Sequence, residues 1–229
     1  MNRLIFKEVS QRHPRVLIIT GGESLAKFDF SKTVDFDGAI ITVNNAVFHV
    51  PRSDYWITVD PMGPQRAMVE LRKDCYYFAA VPERYGDPEN PDHNFRYPPP
   101  EGIHYLNRIV PINGTEYDHG LCENKSCIKT GDSTYGAIGL AYHFEASRIA
   151  VLGWDGYGRG HWWDPEDVYD NGKPEFKKYL SHLPPIAACC VEQISKRGSI
   201  VNGSPSSKIL AFPLMSPEDA LAWVKGMPI

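Results

Sequence analysis

The chain has 229 residues, a size at which a single α/β domain buries a sizeable core without cross-links. Hydrophobic residues make up 42% and charged residues 23%, as in an ordinary globular protein rather than a disordered or fibrous one. A net charge of −4 and an isoelectric point near 6.1 weigh against a general nucleic-acid-binding surface, though they leave room for a small local patch.

From the start, Met1 to Glu8 carries an acid early and no long apolar run, so it does not read as a secretory signal. No stretch approaches the ~18 apolar residues needed to cross a bilayer, and no membrane anchor is expected. Val16 to Thr20 is a continuous aliphatic and β-branched run bounded by Pro14 and Gly21, and Ala39 to Val43 and Tyr55 to Val59 have the same character. Runs that are apolar on both faces suit central parallel strands covered by helices. Ala67, Met68 and Leu71 predict an amphipathic helix over 64–73, and Cys75 to Val81 predicts a fourth strand. Between 82 and 129 the pattern dissolves into turn-formers, including Pro98-Pro99-Pro100, so a long lid or binding insertion is expected there, part of it an edge hairpin. Ser133 to Ala146 has helical spacing, and Arg148 to Gly153 follows as a buried strand. Residues 156–174 form a second, glycine- and aromatic-rich loop of lid-like composition, and 175–196 is helical in pattern but broken at Pro184-Pro185. Ser199 to Asn202 predicts a short strand, and Ser216-Pro217-Glu218-Asp219 starts a helix with a capping serine, proline at the first position and early acids. This alternation predicts one domain over 1–229, a three-layer, mostly parallel Rossmann-like α/β sheet. The five cysteines, with Cys189 and Cys190 adjacent in an apolar run, fit a reducing compartment, so a cytoplasmic location is expected.

The residues that could carry chemistry fall at predicted strand ends. Thr20-Gly21-Gly22-Glu23-Ser24-Leu25 follows the first strand. Small residues there let the backbone approach a ligand, and turn amides can face phosphate oxygens. Ligands of open α/β sheets bind outside the carboxyl ends of strands, although a plain tight turn explains the same residues. The pattern is neither G-x-G-x-x-G nor a Walker loop, which removes support from dehydrogenase and kinase readings. Gly21, Gly22 and Ser24 are its candidate nucleotide-binding residues. Asn44 and Asn45 end the second strand, where amides either bind ribose and phosphate or cap a helix. Asp60 ends the third strand, to orient a substrate hydroxyl or to cap the helix starting at Pro61. Thr130, Gly131, Asp132 and Ser133 open a small-residue helix, a combination that favours an anion or ribose, with a plain N-cap by Asp132 as the alternative. Asp155 closes a further strand. His161 and His182 are the candidates for acid–base work near neutral pH. His119, Cys122 and Cys127 match no common zinc spacing, and no metal site is expected.

Together these segments resemble two related groups, the bacterial glycosyltransferase family 42 sialyltransferases and the 6-hydroxymethylpterin-pyrophosphokinase-like proteins. Gly21-Gly22-Glu23-Ser24-Leu25 is similar to the G-x-G-P-S-L turn of both, with Glu23 in place of proline. Val43-Asn44-Asn45 resembles their strand-end asparagine, and Asp54-Tyr55-Trp56 through Asp60-Pro61 the P-D-Y … D-P strand of the second group. Thr130-Gly131-Asp132-Ser133 resembles a T-S-G helix start, with Asp132 where serine or glycine is usual. Ile149 to Asp155 resembles the I-x-L-x-G-x-D strand, and Asn202-Gly203-Ser204-Pro205 a reordered late S-P-N-S turn. The sialyltransferase resemblance implies a metal-independent glycosyltransferase that holds a nucleotide sugar on these turns. By position before the late turn, His182 rather than His161 would be its general base. No cofactor is then expected. The pyrophosphokinase-like resemblance instead implies that Asp60 and Asp155 support a magnesium–nucleotide complex for phosphoryl or pyrophosphoryl transfer. A non-catalytic binding protein that keeps the nucleotide fold is the third reading. The implied partner is a nucleotide or nucleotide sugar. The aromatic loop from Trp154 to Trp163 suits either stacking on an acceptor or packing as a lid, and a homo-oligomer is compatible with the sequence.

Overall fold

The computed structural model describes residues 5–59, 72, 74–87, 89, 101–109, 120–156, 161–163 and 189–228. Eight strands form one sheet: β1 (Arg15–Ile19), β2 (Ala39–Val43), β3 (Tyr55–Thr58), β4 (Tyr76–Val81), β5 (Ile103–Ile109), β6 (Cys127–Lys129), β7 (Arg148–Leu152) and β8 (Ser199–Gly203). Their order is β6-β5-β4-β3-β2-β1-β7-β8 and every pairing is parallel. Helix α1 (Ser133–His143) leads into β7, residues 189–195 are helical, and α2 (Pro217–Lys225) follows β8.

The period-two alternation of a strand divides the core into two layers. Val16 and Ile18 of β1 pack on the face covered by α1 residues Ala137, Ile138 and Ala141, together with Cys190 and Ile194. Leu17 and Ile19 face the other way, onto Leu25, Phe28 and Phe36 and onto Ala220, Leu221 and Val224 of α2. The molecule is therefore the expected three-layer α/β sandwich. α1 is buried along almost its whole length because Gly136, Ala137, Gly139 and Ala141 let it lie close against the strands.

Two differences from the sequence reading stand out. The stretch expected as an insertion over 82–129 contains β5 and β6, which extend the sheet in parallel rather than forming an edge hairpin. Cys122 and Cys127 are joined in a disulfide just before β6, with Cα atoms 6.2 Å apart, so neither thiol is free for a metal; His119 lies outside the described residues. The helix expected over 64–73, apart from Arg72, and most of the loop at 156–174 also lie outside them. Among the described residues no helix is long and apolar enough to cross a membrane.

The topology fixes where a crevice can form. From β1 the chain steps outward through β2 to β6 at one edge, then returns through α1 to place β7 on the opposite side of β1. Connections leaving β1 and β7 therefore diverge to opposite faces, and the gap beyond their carboxyl ends is the topological switch point of the sheet.

Candidate functional site

The glycine turn sits at that switch point. Thr20 is buried, and both its amide and its hydroxyl donate to the Leu152 carbonyl, at 3.0 and 3.1 Å. The Gly22 amide donates to the Gly153 carbonyl at 3.1 Å, and the Ser24 amide donates to Oδ2 of Asp155 at 3.0 Å. Gly153 has φ +80°, a left-handed conformation that glycine adopts without penalty. A Cβ on Gly22 would collide with the Gly153 carbonyl and lie 2.6 Å from Asp155 Oδ2. Glycine stands at 22 because two strand-end backbones touch there.

These bonds revise the sequence reading of the turn. The amides of Gly22 and Ser24 do not face outward to a phosphate; they bind β7 and the residues that follow it. Asp155 is 2% exposed, with Oδ2 on Ser24 and Oδ1 buried without a hydrogen-bond partner among the described residues. The Ser24 and Ser204 hydroxyls lie 3.0 Å apart, which brings the turn after β8 into the same group. Asn202 donates its side-chain amide to the Trp154 carbonyl at 3.0 Å, and Ser207 donates to the same oxygen at 2.7 Å.

A short aromatic segment lies across the turn. His161 forms an antiparallel bridge with Gly22, the Trp162 amide donates to the Gly21 carbonyl at 3.1 Å, and the Trp162 indole donates to the Thr20 carbonyl at 3.0 Å. The surface left bare by Gly21 is filled by His161 and Trp163: a Cβ there would sit 2.6 Å from Cδ2 of His161. Trp163 stacks with His161 on one side and His49 on the other, each at 4.5 Å between ring centroids, with interplanar angles of 12° and 8°. Phe30 stacks on Trp162 at 4.3 Å. The pKa of His49 is lowered from its ordinary value, first by burial and then by the charge of nearby His161.

The other predicted residues serve different contacts. Asn44 adopts φ 51°, a left-handed conformation that asparagine tolerates; its side-chain oxygen accepts from the Thr58 hydroxyl at 2.8 Å, and its carbonyl accepts from the Trp56 indole at 2.8 Å. It thereby locks the ends of β2 and β3 together, while Oδ1 of adjacent Asn45 is buried without a partner among the described residues. Of the two readings open for Asp132, the cap is the one made: its carboxylate accepts from the Tyr135 amide at 2.9 Å. The Ser133 hydroxyl accepts from the Val59 amide at 3.1 Å, and the Thr130 hydroxyl accepts from the Asp132 amide at 3.0 Å. A Cβ on Gly131 would meet no described atom within 4 Å. Arg108, which the sequence did not single out, donates to the carbonyls of Val59, Thr130 and Gly131 at 3.2 to 3.5 Å, gathering this rim into a second group. The structure thus brings Gly21, Gly22, Ser24, Asp155 and His161 together, and places Thr130 to Ser133 beside the end of β3. Asp60 and His182 lie outside the described residues.

His49 is a further residue of the site that the sequence does not mark. It follows a short 3-10 turn (Asn44–Phe48) and carries no local pattern; only the tertiary stack gives it significance.

No family model matches the chain, and no curated protein matches it. Among solved structures it is similar to the sialyltransferase CST-II in complex with trisaccharide acceptor and CMP, with a TM-score of 0.47 and 12% identity over 89% of this chain and 86% of that one. A likeness at this level assigns neither a shared site nor a shared substrate.

Proposed function

We propose that the chain is a metal-independent glycosyltransferase that binds a nucleotide sugar in the crevice at the β1/β7 switch point, with a histidine as general base. The observation that carries this reading is the gathering of the glycine turn, Asp155, the Ser24–Ser204 pair and His161 at the β1/β7 switch point, where open α/β sheets bind their ligands. The ordered resemblance of the strand-end motifs to nucleotide-sugar enzymes supports the ligand class.

His161 is the base in this reading because its ring edge lies against Gly21, at the end of β1, and histidine is the side chain suited to general-base work. It takes the proton of an acceptor hydroxyl as that oxygen bonds to the anomeric carbon. The bond from that carbon to the nucleotide breaks, and the nucleotide departs with the electron pair. Buried Asp155 holds the Ser24 turn in place beneath the ligand.

The test is a thermal-shift and calorimetric panel of nucleoside mono- and diphosphates and their sugar conjugates, followed by donor turnover with and without EDTA. One nucleotide class is expected to bind, its sugar conjugate to be consumed in EDTA, and turnover to fall at least tenfold in His161→Gln. Absence of binding across the panel overturns the proposal. Turnover of a nucleoside triphosphate that depends on magnesium replaces it with phosphoryl transfer. Full activity in His161→Gln with loss in His182→Gln moves the base to His182.

A further inference from the structure

His161 does not stand alone. Its ring is one face of a three-layer stack in which Trp163 is clamped between two imidazoles at equal centroid distances of 4.5 Å and nearly parallel planes. The stack is braced from two directions. On one side His161 and the edge of Trp163 lie on Gly21, where an added Cβ would meet Cδ2 of His161 at 2.6 Å and Cη2 of Trp163 at 3.0 Å. On the other side His49 is carried by the turn after β2, and Trp162 packs edge-on against both His49 and Trp163, at 5.7 and 5.1 Å. Backbone bonds at Gly21 and Gly22 fix the height of the segment, but backbone bonds do not set a side chain's χ angles; contacts made by the ring do. An imidazole that pivots about Cβ moves its nitrogens by more than the ~0.5 Å tolerance that general-base geometry allows.

We infer that Trp163 and His49 are positioning residues that hold the His161 imidazole with its Cδ2–Nε2 edge against Gly21, so that its ring keeps one orientation at the switch point. The inference rests on the proposed site for its use in catalysis, but the positioning itself belongs to the fold and needs no ligand. His49 contributes through Trp163 and not by stacking on His161 directly, so what it must supply is a flat ring rather than a proton. The lowered pKa of His49 agrees with an imidazole that stacks in its neutral form. Phenylalanine at 49 therefore keeps the function, and alanine loses it.

The experiment is imidazole carbon–proton NMR on the full-length protein, with the His161 signal assigned by its disappearance in His161→Gln. In the wild type that signal is expected far upfield, from the ring current of Trp163, and as a single sharp line. In Trp163→Leu it moves to the position of an unstacked histidine; in His49→Ala it moves part of the way and broadens; in His49→Phe it returns to the wild-type position. If Trp163→Leu fails to fold, the His49 pair decides alone. A His161 signal at the unstacked position in the wild type, or one that responds identically to His49→Ala and His49→Phe, overturns the inference. The same variants are then assayed on whichever donor the panel identifies: His49→Ala is expected to lower kcat about threefold to tenfold with donor KM unchanged, and His49→Phe to restore it. Ring-current shifts as described in a protein that binds no nucleotide support the positioning and count against the proposed function only.

Discussion

Gly22 and Gly131 look alike in the sequence, as small residues at ligand-binding turns, yet the structure gives them opposite roles. At Gly22 a side chain would enter the Gly153 carbonyl and the Asp155 carboxylate, so Gly22→Ala must push β1 and β7 apart at their carboxyl ends. Overpacking of this kind costs about 1–3 kcal/mol. A Cβ on Gly131 would meet no described atom within 4 Å, and its backbone is outside the left-handed region, so Gly131→Ala is expected to change stability by less than about 1 kcal/mol, with the gain in unfolded-state entropy favouring the variant. Urea unfolding of the two variants side by side checks this, and equal losses in both would contradict the assignment of contact to one glycine and open space to the other. Asp155 belongs to the same scale. Its burial and its bond to the Ser24 amide make it a structural partner of the turn. Asp155→Ala leaves that amide unsatisfied in a nearly closed space, at a cost of about 1–3 kcal/mol.

Helix α1 shows how a single side chain can be read two ways until its neighbours are known. Asp132 accepts from the Tyr135 amide, Ser133 accepts from the Val59 amide, and small residues along α1 let it sink against the sheet. Asp132→Ala removes the cap and is expected to destabilise the protein by about 1 kcal/mol, while Asp132→Asn, which keeps an acceptor oxygen, loses much less. A thermal melt distinguishes the pair. If both variants are as stable as the wild type and nucleotide affinity falls instead, Asp132 is a ligand contact and not a cap. Most elements were legible for a physical reason: β1 to β4 and β7 are buried on both faces and so read as continuous apolar runs, and α2 announces itself by Ser216, which caps the Asp219 amide at 3.0 Å. β5 and β6 were not legible. β5 carries His104, Asn107 and Arg108 on a strand near the sheet edge, with polar positions at the ends facing solvent or carbonyl groups, and β6 has three residues, too few for any period to show. Of the site, the strand-end positions were visible because chain punctuation marks them. The direction of each amide, and the approach of His49 and Trp163 from distant segments, exist only in the tertiary arrangement.

At the scale of the whole molecule, the histidines predict how the fold responds to acid. His13, His49, His104 and His143 all have pKa values lowered from the ordinary 6.5, and in each the largest cause is burial, which disfavours the imidazolium; near His13 the charge of Asp54 opposes it. His143 is the most enclosed, 2% exposed, with Nε2 2.7 Å from the Cys127 carbonyl. When the folded pKa lies below the unfolded one, the unfolded chain binds more protons in the interval between them. Stability is then full above the unfolded value and falls as pH drops through it. For one histidine the slope in that interval approaches about 1.4 kcal/mol per pH unit. A second decline follows lower down. Asp29, Asp35, Asp74, Asp87 and Glu145 have pKa values held below the ordinary carboxylate range, first by hydrogen bonds from Ser31, Lys225, Arg72, the Glu89 amide and Lys125 respectively, and their protonation releases those bonds. Urea midpoints followed from about pH 7.5 to about pH 5 should therefore begin to fall above the range of that second decline. In His143→Gln, whose side-chain amide can still donate to the Cys127 carbonyl but binds no proton, the fall over that range should be shallower. A flat profile in the wild type, or an identical slope in the variant, would show that His143 is not held neutral in the core, and the enclosure of α1 against β6 would have to be looser than its contacts describe.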